Sequence, residues 1–182
     1  HPPVDLERFT PGQMKKDFYL MIGAFAPNKR VDLAIRVFNR LKLPLKIVGK
    51  GQDEAFCRSI AGESISFLGE CDDEQLLELY QQARAFVFPG EDDFGITPLE
   101  AQACGTPVIA YAAGGALETV TETTGIFFVE QTEEALSYAV EDMEQRYQDF
   151  KPDDFKKNTS QFSRERYKNE VFNTISNAYS SW

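Results

Sequence analysis

The chain has 182 residues, 42% of them hydrophobic, and a formal net charge of −10 at pH 7. This is enough for one domain with a buried core, and no stretch approaches the roughly 18 apolar residues that a membrane-spanning helix needs. The acidic charge argues against a nucleic-acid partner, because phosphate contacts need clustered Lys and Arg.

The cysteines and the one histidine limit the chemistry further. Cys57, Cys71 and Cys104 are odd in number and lack a CxxC spacing, so we interpret them as reduced thiols, which favours a cytoplasmic location. His1 is the only histidine and stands at the terminus. Catalytic Ser-His-Asp or Cys-His arrangements and most zinc sites are therefore not predicted. We expect neither a metal nor a cofactor.

The chain begins with HPPVDLERF, without an initiator Met or a signal peptide. The two prolines favour extended backbone, so residues 1–12 are predicted to be a linker. We expect the chain to be part of a longer protein.

Apolar segments of strand length then alternate with amphipathic segments. Strands are predicted near residues 18–23, 45–48, 65–68, 85–88, 107–110 and 125–129, and helices over 30–41, 53–61, 73–84, 97–104 and 132–146. Four strands are nearly continuous apolar runs, which is typical of parallel strands covered by helices on both faces. The pattern predicts an α/β domain over residues 13–150, a Rossmann-like, doubly wound parallel sheet of about six strands. Such sheets bind ligands beyond the carboxyl ends of their strands.

Residues 151–182 are predicted to be a C-terminal crossover segment followed by a helix. KPDDFKKNTSQ is polar and breaks the pattern at Pro152, so no helix is predicted there. The last helix is predicted over residues 163–179 and either packs on this domain or docks on another one. Its apolar residues near one face would be Phe162, Tyr167, Val171, Phe172, Ile175 and Tyr179.

The segment DDFGITPLE predicts an anion-binding helix start between two acids. Thr97 suits the N-cap, Pro98 the first position and Glu100 the third, which together form a capping box. Free N–H groups of residues 96–99 would face the preceding loop, and Gly95 would let a ligand approach. With Asp92 at the other side, the layout suits a nucleotide sugar. Alternatively, Glu100 only closes the capping box and Asp92 is solvated.

Four other patterns are weaker evidence for a binding site. Lys29 and Arg30 begin a helix after the first strand and would reach a diphosphate from the side opposite Asp92, unless they are an exposed pair. The Gly-Lys-Gly at 49–51 lacks the third glycine of a dinucleotide fingerprint and follows the second strand. Three adjacent acids at 91–93 lack further metal ligands. The glycine pair at 114–115 predicts a turn before a short helix, and in a cleft it would admit a ligand or a second domain.

FVFPGEDDFGITPLEAQACGTPVIAYAAGGALETV is similar to the signature of retaining glycosyltransferases of family 4, which have the two-domain GT-B fold. PPVDLERF resembles their interdomain linker, and FLGECDDEQLLELYQQA resembles their nucleotide-side strand and helix. KRVDLAI resembles the mannosyltransferase-like branch. The resemblance covers residues 2–179. It implies that the chain is the C-terminal, donor-binding half of such an enzyme and lacks the N-terminal acceptor domain.

The resemblance also implies roles for single residues. Glu100 would hold the ribose hydroxyls, Asp92 the transferred sugar and Lys29 the diphosphate, and these three are the predicted catalytic residues. The predicted donor-binding residues are Gly23, Lys29, Glu70, Cys71, Phe94, Gly95, Ile96, Thr97 and Glu100. The nucleotide base would lie beside Gly69, Glu70 and Cys71.

Two positions depart from the family pattern. Ala24 stands where the family usually has an Arg, and loss of that phosphate donor removes about 1.5–3 kcal/mol of binding. Asp92 replaces a Glu and is one methylene shorter, unless Glu91 takes its place through a shift of the loop.

The resemblance implies a retaining hexosyltransferase of polysaccharide biosynthesis. We expect transfer of mannose from GDP-mannose to a glycan or lipid-linked acceptor that the missing domain binds. Any contact with the inner face of a membrane would be made by that missing domain. The chain alone should be inactive. The alternatives are a non-catalytic binding module, a phosphorylase-like GT-B relative and an NAD oxidoreductase.

Overall fold

The computed structural model describes the backbone of residues 1–180 and the side chains of residues 1–177. The strands are β1 (Tyr19–Ile22), β2 (Leu45–Val48), β3 (Ile65–Gly69), β4 (Ala85–Phe88), β5 (Val108–Tyr111) and β6 (Gly125–Phe128). The helices are α1 (Val31–Leu41), α2 (Glu54–Ile60), α3 (Asp73–Gln82), α4 (Ile96–Ala103), α5 (Ala116–Thr119), α6 (Glu133–Arg146), α7 (Pro152–Ser160) and α8 (Arg164–Ser180). All six predicted strands and all five predicted helices of the first 150 residues are therefore confirmed, to within two residues at each end.

The six strands form one parallel sheet in the order β3-β2-β1-β4-β5-β6. Alternate strand residues face opposite sides, so that Tyr19 and Met21 pack with α1 and α6, whereas Leu20 packs with α3 and α4. Helices thus cover both faces, and the predicted Rossmann-like, doubly wound fold is confirmed. The strand order reverses between β1 and β4, and we call this place the switch point. A ligand is expected to bind in the crevice outside the carboxyl ends of these two strands.

The N-terminal residues pack on the domain. The N–H of Val4 donates to the carbonyl of Phe162 at 2.8 Å, and Val4, Phe9 and Phe162 are buried in the core between the sheet and α3–α5. The prediction of an extended linker over residues 1–12 therefore misses these contacts. Phe162 precedes α8 instead of lying on it.

The polar segment after residue 150 is helical, contrary to the prediction. Pro152 occupies the start of α7, where its missing N–H has no intrahelical partner to lose. Phe155, Asn158 and Thr159 are buried, and the Asn158 amide donates to Gln102 Oε1 of α4 at 2.7 Å. The spacing i, i+3, i+4 places these three on one side of the helix, which is enough to dock a helix that is otherwise polar.

Helix α8 is confirmed to within one residue, and its apolar side is exposed. Tyr167, Val171, Phe172 and Ile175 have 39–70% of their surface accessible, so they do not pack on this domain. Tyr179, which was predicted on the same side, lies outside the described side chains. Within residues 1–180, we find no helix that is both long enough and apolar enough to cross a membrane.

Candidate functional site

Four loops meet at the carboxyl edge of the sheet, and backbone hydrogen bonds join them. After β1, Gly23 N–H donates to the Val48 carbonyl at 3.0 Å, and after β2, Gly49 N–H donates to the Gly69 carbonyl at 2.8 Å. After β4, Glu91 N–H donates to the Asn28 carbonyl at 3.1 Å. The loops that carry the predicted site residues are thus held to one another across the switch point.

Gly49 is required by this close approach. A Cβ at position 49 would lie 2.0 Å from the carbonyl oxygen of Gly23, and its φ of +131° is one that other residues rarely adopt. A Cβ at Gly51 would likewise lie 2.6 Å from the carbonyl oxygen of Phe25. The Gly-Lys-Gly sequence therefore serves contact between two loops of the chain, which gives these glycines a structural reason unrelated to a dinucleotide.

A cavity of about 660 Å³ opens outside the ends of β1, β2 and β3. Its lining includes Gly23, Ala24, Lys50, Glu70 and Cys71. Lys50 Nζ lies 2.9 Å from Glu70 Oε1 at its exposed rim. The structure thus brings together three predicted donor-binding residues, those at positions 23, 70 and 71, and the volume is within the range of small-molecule sites.

Helix α4 begins one residue earlier than predicted, and its cap differs. Gly95 is the N-cap with φ +79° and ψ +70°, and no side chain caps the helix. Thr97 is therefore not the N-cap, and the predicted capping box with Glu100 is wrong. The left-handed turn at Gly95, which the glycine permits, turns the chain into the helix before Thr97.

This start still leaves backbone N–H groups without an intrahelical partner. In a helix that begins at Ile96, the first intrahelical bond runs from Leu99 N–H to the Gly95 carbonyl, so the N–H groups of Gly95, Ile96 and Thr97 remain available. Pro98 has no N–H to add, so the predicted range of 96–99 shifts toward the loop. The helix dipole favours negative charge at this position.

Lys29 and Asp92 form an ion pair across the switch point. The Lys29 ammonium donates to Asp92 Oδ1, and the two side chains are 21% and 26% accessible. Burial lowers the pKa of Lys29, and the nearby charge of Asp93 partly opposes this. The sequence predicted that Lys29 faces a diphosphate from the side opposite Asp92. In the structure the Lys29 ammonium instead contacts the Asp92 carboxylate directly.

The chain around Lys29 differs from the predicted helix start. Pro27–Lys29 form a 3₁₀ turn, Arg30 is in the left-handed conformation with φ 51°, and α1 begins only at Val31. The guanidinium of Arg30 donates to Gln131 Oε1 at 3.2 Å. The two basic residues therefore point to different partners, and of the two only Lys29 reaches Asp92.

The glycine pair before α5 packs against the acidic loop. Gly115 N–H donates to the Asp92 carbonyl at 2.8 Å. A Cβ at Gly115 would lie 2.1 Å from the carbonyl oxygen of Phe94, and one at Gly114 would lie 2.4 Å from that of Asp92. The sequence left open what these glycines admit; in the structure they admit the 92–94 loop itself. Phe94 in turn stacks on the His1 ring at 5.5 Å.

Glu100 lies in a separate network on α4. The hydroxyl of Tyr80, from α3, donates to Glu100 Oε2 at 2.8 Å. Burial raises the pKa of Glu100, whereas the Tyr80 hydrogen bond and the charge of Arg8 lower it. Sequence reasoning missed Tyr80 and Arg8, because they come from another helix and from the predicted linker and match no local motif.

A second cavity, of about 630 Å³, lies at the other end of α4. It is lined largely by apolar groups of residues 6–12, α4 and α7, and by Lys15. The Lys15 amine donates to the Cys104 carbonyl at 3.3 Å and to Thr106 Oγ1. Since these acceptors follow the C-terminal end of α4, the amine serves as a cap for that helix.

Lys15 makes stability depend on pH. Burial lowers its pKa from 10.5 to about 8, so between these values the unfolded chain binds a proton that the folded chain does not. The free energy of unfolding should therefore rise from pH 8 to pH 10, by on the order of 1–2 kcal/mol from this group. Urea denaturation at both pH values should show a smaller rise in Lys15→Met than in wild type. Lys16→Met, at the exposed neighbour, is the control and should retain the rise.

A family model described as "Glycosyl transferases group 1" matches residues 5–162. The chain is 36% identical over 139 residues to a D-inositol 3-phosphate glycosyltransferase of Mycobacteroides abscessus, covering 63% of this chain and 31% of the relative. It is 33% identical over 153 residues to a GDP-mannose-dependent monoacylated alpha-(1-6)-phosphatidylinositol monomannoside mannosyltransferase of Corynebacterium glutamicum, covering 68% and 40%. The chain thus spans between three and four tenths of the length of these relatives.

Solved structures agree on the fold. The superposition with sucrose-phosphate synthase from Thermosynechococcus elongatus covers 100% of this chain and 52% of the synthase, with a TM-score of 0.87 and 24% identity. Anabaena HepE, solved in complex with UDP, covers 90% of this chain and 49% of its own, with a TM-score of 0.79 and 17% identity. At these identities the likeness concerns the fold. Because the family model spans most of the sequence and the sheet has the matching architecture, the chain belongs to the group 1 glycosyl transferases.

Proposed function

We propose that this chain is the donor-binding half of a glycosyltransferase that transfers a hexose from a nucleotide sugar. The observation that carries the proposal is the meeting of a cation, an acid and an open helix start at the switch point. Lys29 contacts Asp92, and α4 begins at Ile96, four positions after that acid in the same loop.

In this proposal each group of the site binds one part of the donor. The N–H groups of Gly95, Ile96 and Thr97 and the ammonium of Lys29 bind the diphosphate, since both favour an anion. Asp92 accepts hydrogen bonds from the transferred sugar, and Glu100 accepts them from the ribose. The base occupies the cavity beside Glu70 and Cys71, where Gly23 lets it approach. The backbone N–H of Phe94, in the same loop, donates to the transferred sugar.

The catalytic contribution of this half is positioning and electrostatic stabilisation. In hexose transfer the bond between the anomeric carbon and the diphosphate oxygen breaks, and its electron pair leaves with the diphosphate. The oxygen of the acceptor hydroxyl bonds to that carbon, and the hydroxyl proton passes to the departing diphosphate. Lys29 and the α4 start stabilise the charge that develops on the departing diphosphate. We propose transfer with retention of configuration, in keeping with the family resemblance of the signature segment.

The acceptor side lies outside this chain in the proposal. The exposed apolar residues of α8 support a further domain that covers them and binds a glycan or lipid-linked acceptor. The chain alone would then bind the donor nucleotide and transfer nothing.

The base and the sugar are open to a direct test. The Corynebacterium relative is named for GDP-mannose and the Anabaena structure contains UDP, and we propose GDP-mannose because the sequence relative is the more similar of the two. Calorimetric titration of the chain with GDP, UDP and ADP should give binding by GDP at millimolar concentration or below. Glu100→Gln should weaken it, whereas Glu63→Gln, on the exposed loop before β3, should not. No binding of any of the three nucleotides would refute the donor site.

The second candidate is a non-catalytic binding module, and Ala24 is the observation that favours it. Ala24 lines the 660 Å³ cavity and is exposed, so an arginine there has room to reach a bound diphosphate. If the site is degraded, Ala24→Arg should tighten nucleoside diphosphate binding about tenfold or more. Unchanged affinity in the same titration would mean that the site works without this cation and would speak against degradation. Ala55→Arg, exposed on α2, is the matched control.

A further inference from the structure

The Tyr80 hydroxyl is hydrogen-bonded to one oxygen of the Glu100 carboxylate. Tyr80 is 1% accessible, and its hydroxyl donates to Glu100 Oε2 at 2.8 Å. The backbone of Tyr80 is itself held, because Thr106 Oγ1 donates to its carbonyl, and its ring packs edge-on against Phe9 with centroids 5.8 Å apart. The hydroxyl therefore has little freedom to turn away from Glu100.

The pKa of the Glu100 carboxyl is raised by its burial, and the groups around it act in both directions. Burial raises the pKa of Glu100, and the charge of Asp73 adds to the increase. The Tyr80 hydrogen bond and the charge of Arg8 act in the other direction. Arg8 is fixed nearby, since its guanidinium lies 2.9 Å from Asp73 Oδ2. The thiol of Cys104, whose pKa burial raises to about 12, stays neutral beside them.

A carboxylate that binds a ribose diol needs an ionised group and an oxygen turned toward the ligand. A carboxylate has about four acceptor positions, and the Tyr80 bond takes one on Oε2, which leaves Oε1 for the ribose. A ligand hydroxyl at Oε1 loses its partner if the carboxylate rotates or is protonated.

We infer that Tyr80, supported by Arg8, is a positioning residue that orients Glu100 and makes the site select ribonucleotides over deoxyribonucleotides. This inference rests on the proposed function, in which Glu100 binds the ribose. Tyr80 does not touch the donor and acts through Glu100. Arg8 contributes through its charge.

The test compares a nucleoside diphosphate with its 2′,3′-dideoxy form, using whichever base the chain binds. Wild type should bind the ribose form more tightly. Tyr80→Phe keeps the ring and should weaken ribonucleotide binding about tenfold while leaving binding of the dideoxy form unchanged. The matched control is Tyr19→Phe, which removes another buried tyrosine hydroxyl, one that donates to Glu144 away from the cleft. It should leave the ribose preference unchanged.

The pH profile gives a readout that packing alone would not change. Protonation of Glu100 should abolish the ribose preference as the pH falls. Because Tyr80→Phe and Arg8→Gln each remove an interaction that lowers the Glu100 pKa, both should lose the preference at a higher pH than wild type. Arg8 is partly exposed, so if Tyr80→Phe does not fold, Arg8→Gln still tests the electrostatic part of the inference.

The outcomes separate this inference from the proposed function. A wild type without ribose preference refutes the role of Glu100 and the inference with it. A wild type that has the preference, beside a folded Tyr80→Phe that keeps all of it, overturns the inference and leaves the donor site standing. Equal losses in Tyr80→Phe and Tyr19→Phe, or an unchanged pH midpoint in Arg8→Gln, would also overturn it.

Discussion

Replacing Gly115 by alanine is expected to lower nucleotide affinity about a hundredfold and the free energy of unfolding by about 3 kcal/mol. The added Cβ would lie 2.1 Å from the carbonyl oxygen of Phe94 and 2.2 Å from its carbonyl carbon. These are backbone atoms, so the whole loop from Asp92 to Gly95 must shift. The conformation of Gly115, φ −65° and ψ −15°, suits alanine, and the effect therefore comes from contact alone.

Gly105→Ala separates this contact from ordinary strain. Gly105 has φ +70°, and the nearest atom to an added Cβ is Pro11 Cβ at 3.6 Å. Its replacement should cost about 1 kcal/mol for the left-handed backbone and leave nucleotide affinity unchanged. Urea denaturation and calorimetry on both variants measure the two quantities. Equal affinities for Gly115→Ala and wild type would mean that the 92–95 loop does not form the site.

The two members of the Lys29–Asp92 pair are expected to have opposite effects on nucleoside diphosphate binding. Lys29→Met removes the cation and should weaken binding by about tenfold to a hundredfold. Asp92→Asn releases the ammonium from its partner and should tighten binding by about fivefold. With the nucleotide sugar in place of the diphosphate, the gain should shrink, because the amide is a poorer acceptor for sugar hydroxyls.

Calorimetric titration of both single variants and the double variant measures how far the effects of Lys29→Met and Asp92→Asn on nucleoside diphosphate binding depend on each other. The double variant should resemble Lys29→Met, since releasing a cation that is absent changes nothing. Glu91→Gln, at the exposed neighbouring acid, controls for the general change in charge. Weaker binding in Asp92→Asn would show that the acid supports the diphosphate site, and unchanged binding in Lys29→Met would remove Lys29 from it.

The sheet was predictable because its signal is local. Each strand is an apolar run between polar segments, and alternation with amphipathic helices leaves few topologies. Helix α7 was missed for a related reason: Phe155 is its only large apolar residue, and Asn158 becomes a core residue only through Gln102 on α4. Because Gln102 is 56 residues away, the sequence of the segment itself does not indicate this contact.

The sequence predicted which residues belong to the candidate site, but it did not predict several of their contacts. Asp92, Lys29 and Glu100 were predicted from their places after strands and from the family resemblance, and their roles remain predictions. The cap of α4 was wrong because a threonine followed by a proline is a good local start signal, whereas the left-handed turn at Gly95 depends on the loop around it. The bond between Tyr80 and Glu100 joins two helices, and no spacing in the sequence encodes it.

The glycine contacts behind the site have a consequence for its variation. At positions 49, 114 and 115, the backbones of neighbouring loops approach so closely that any Cβ would overlap backbone atoms. These three glycines therefore tolerate almost no substitution without a shift of the loops at the site. Ala24 and Asp92, in contrast, project side chains from that backbone without being needed to build it. If the proposed donor site is right, substitutions at Ala24 or Asp92 can therefore change which donor it binds without changing the backbone contacts that shape it.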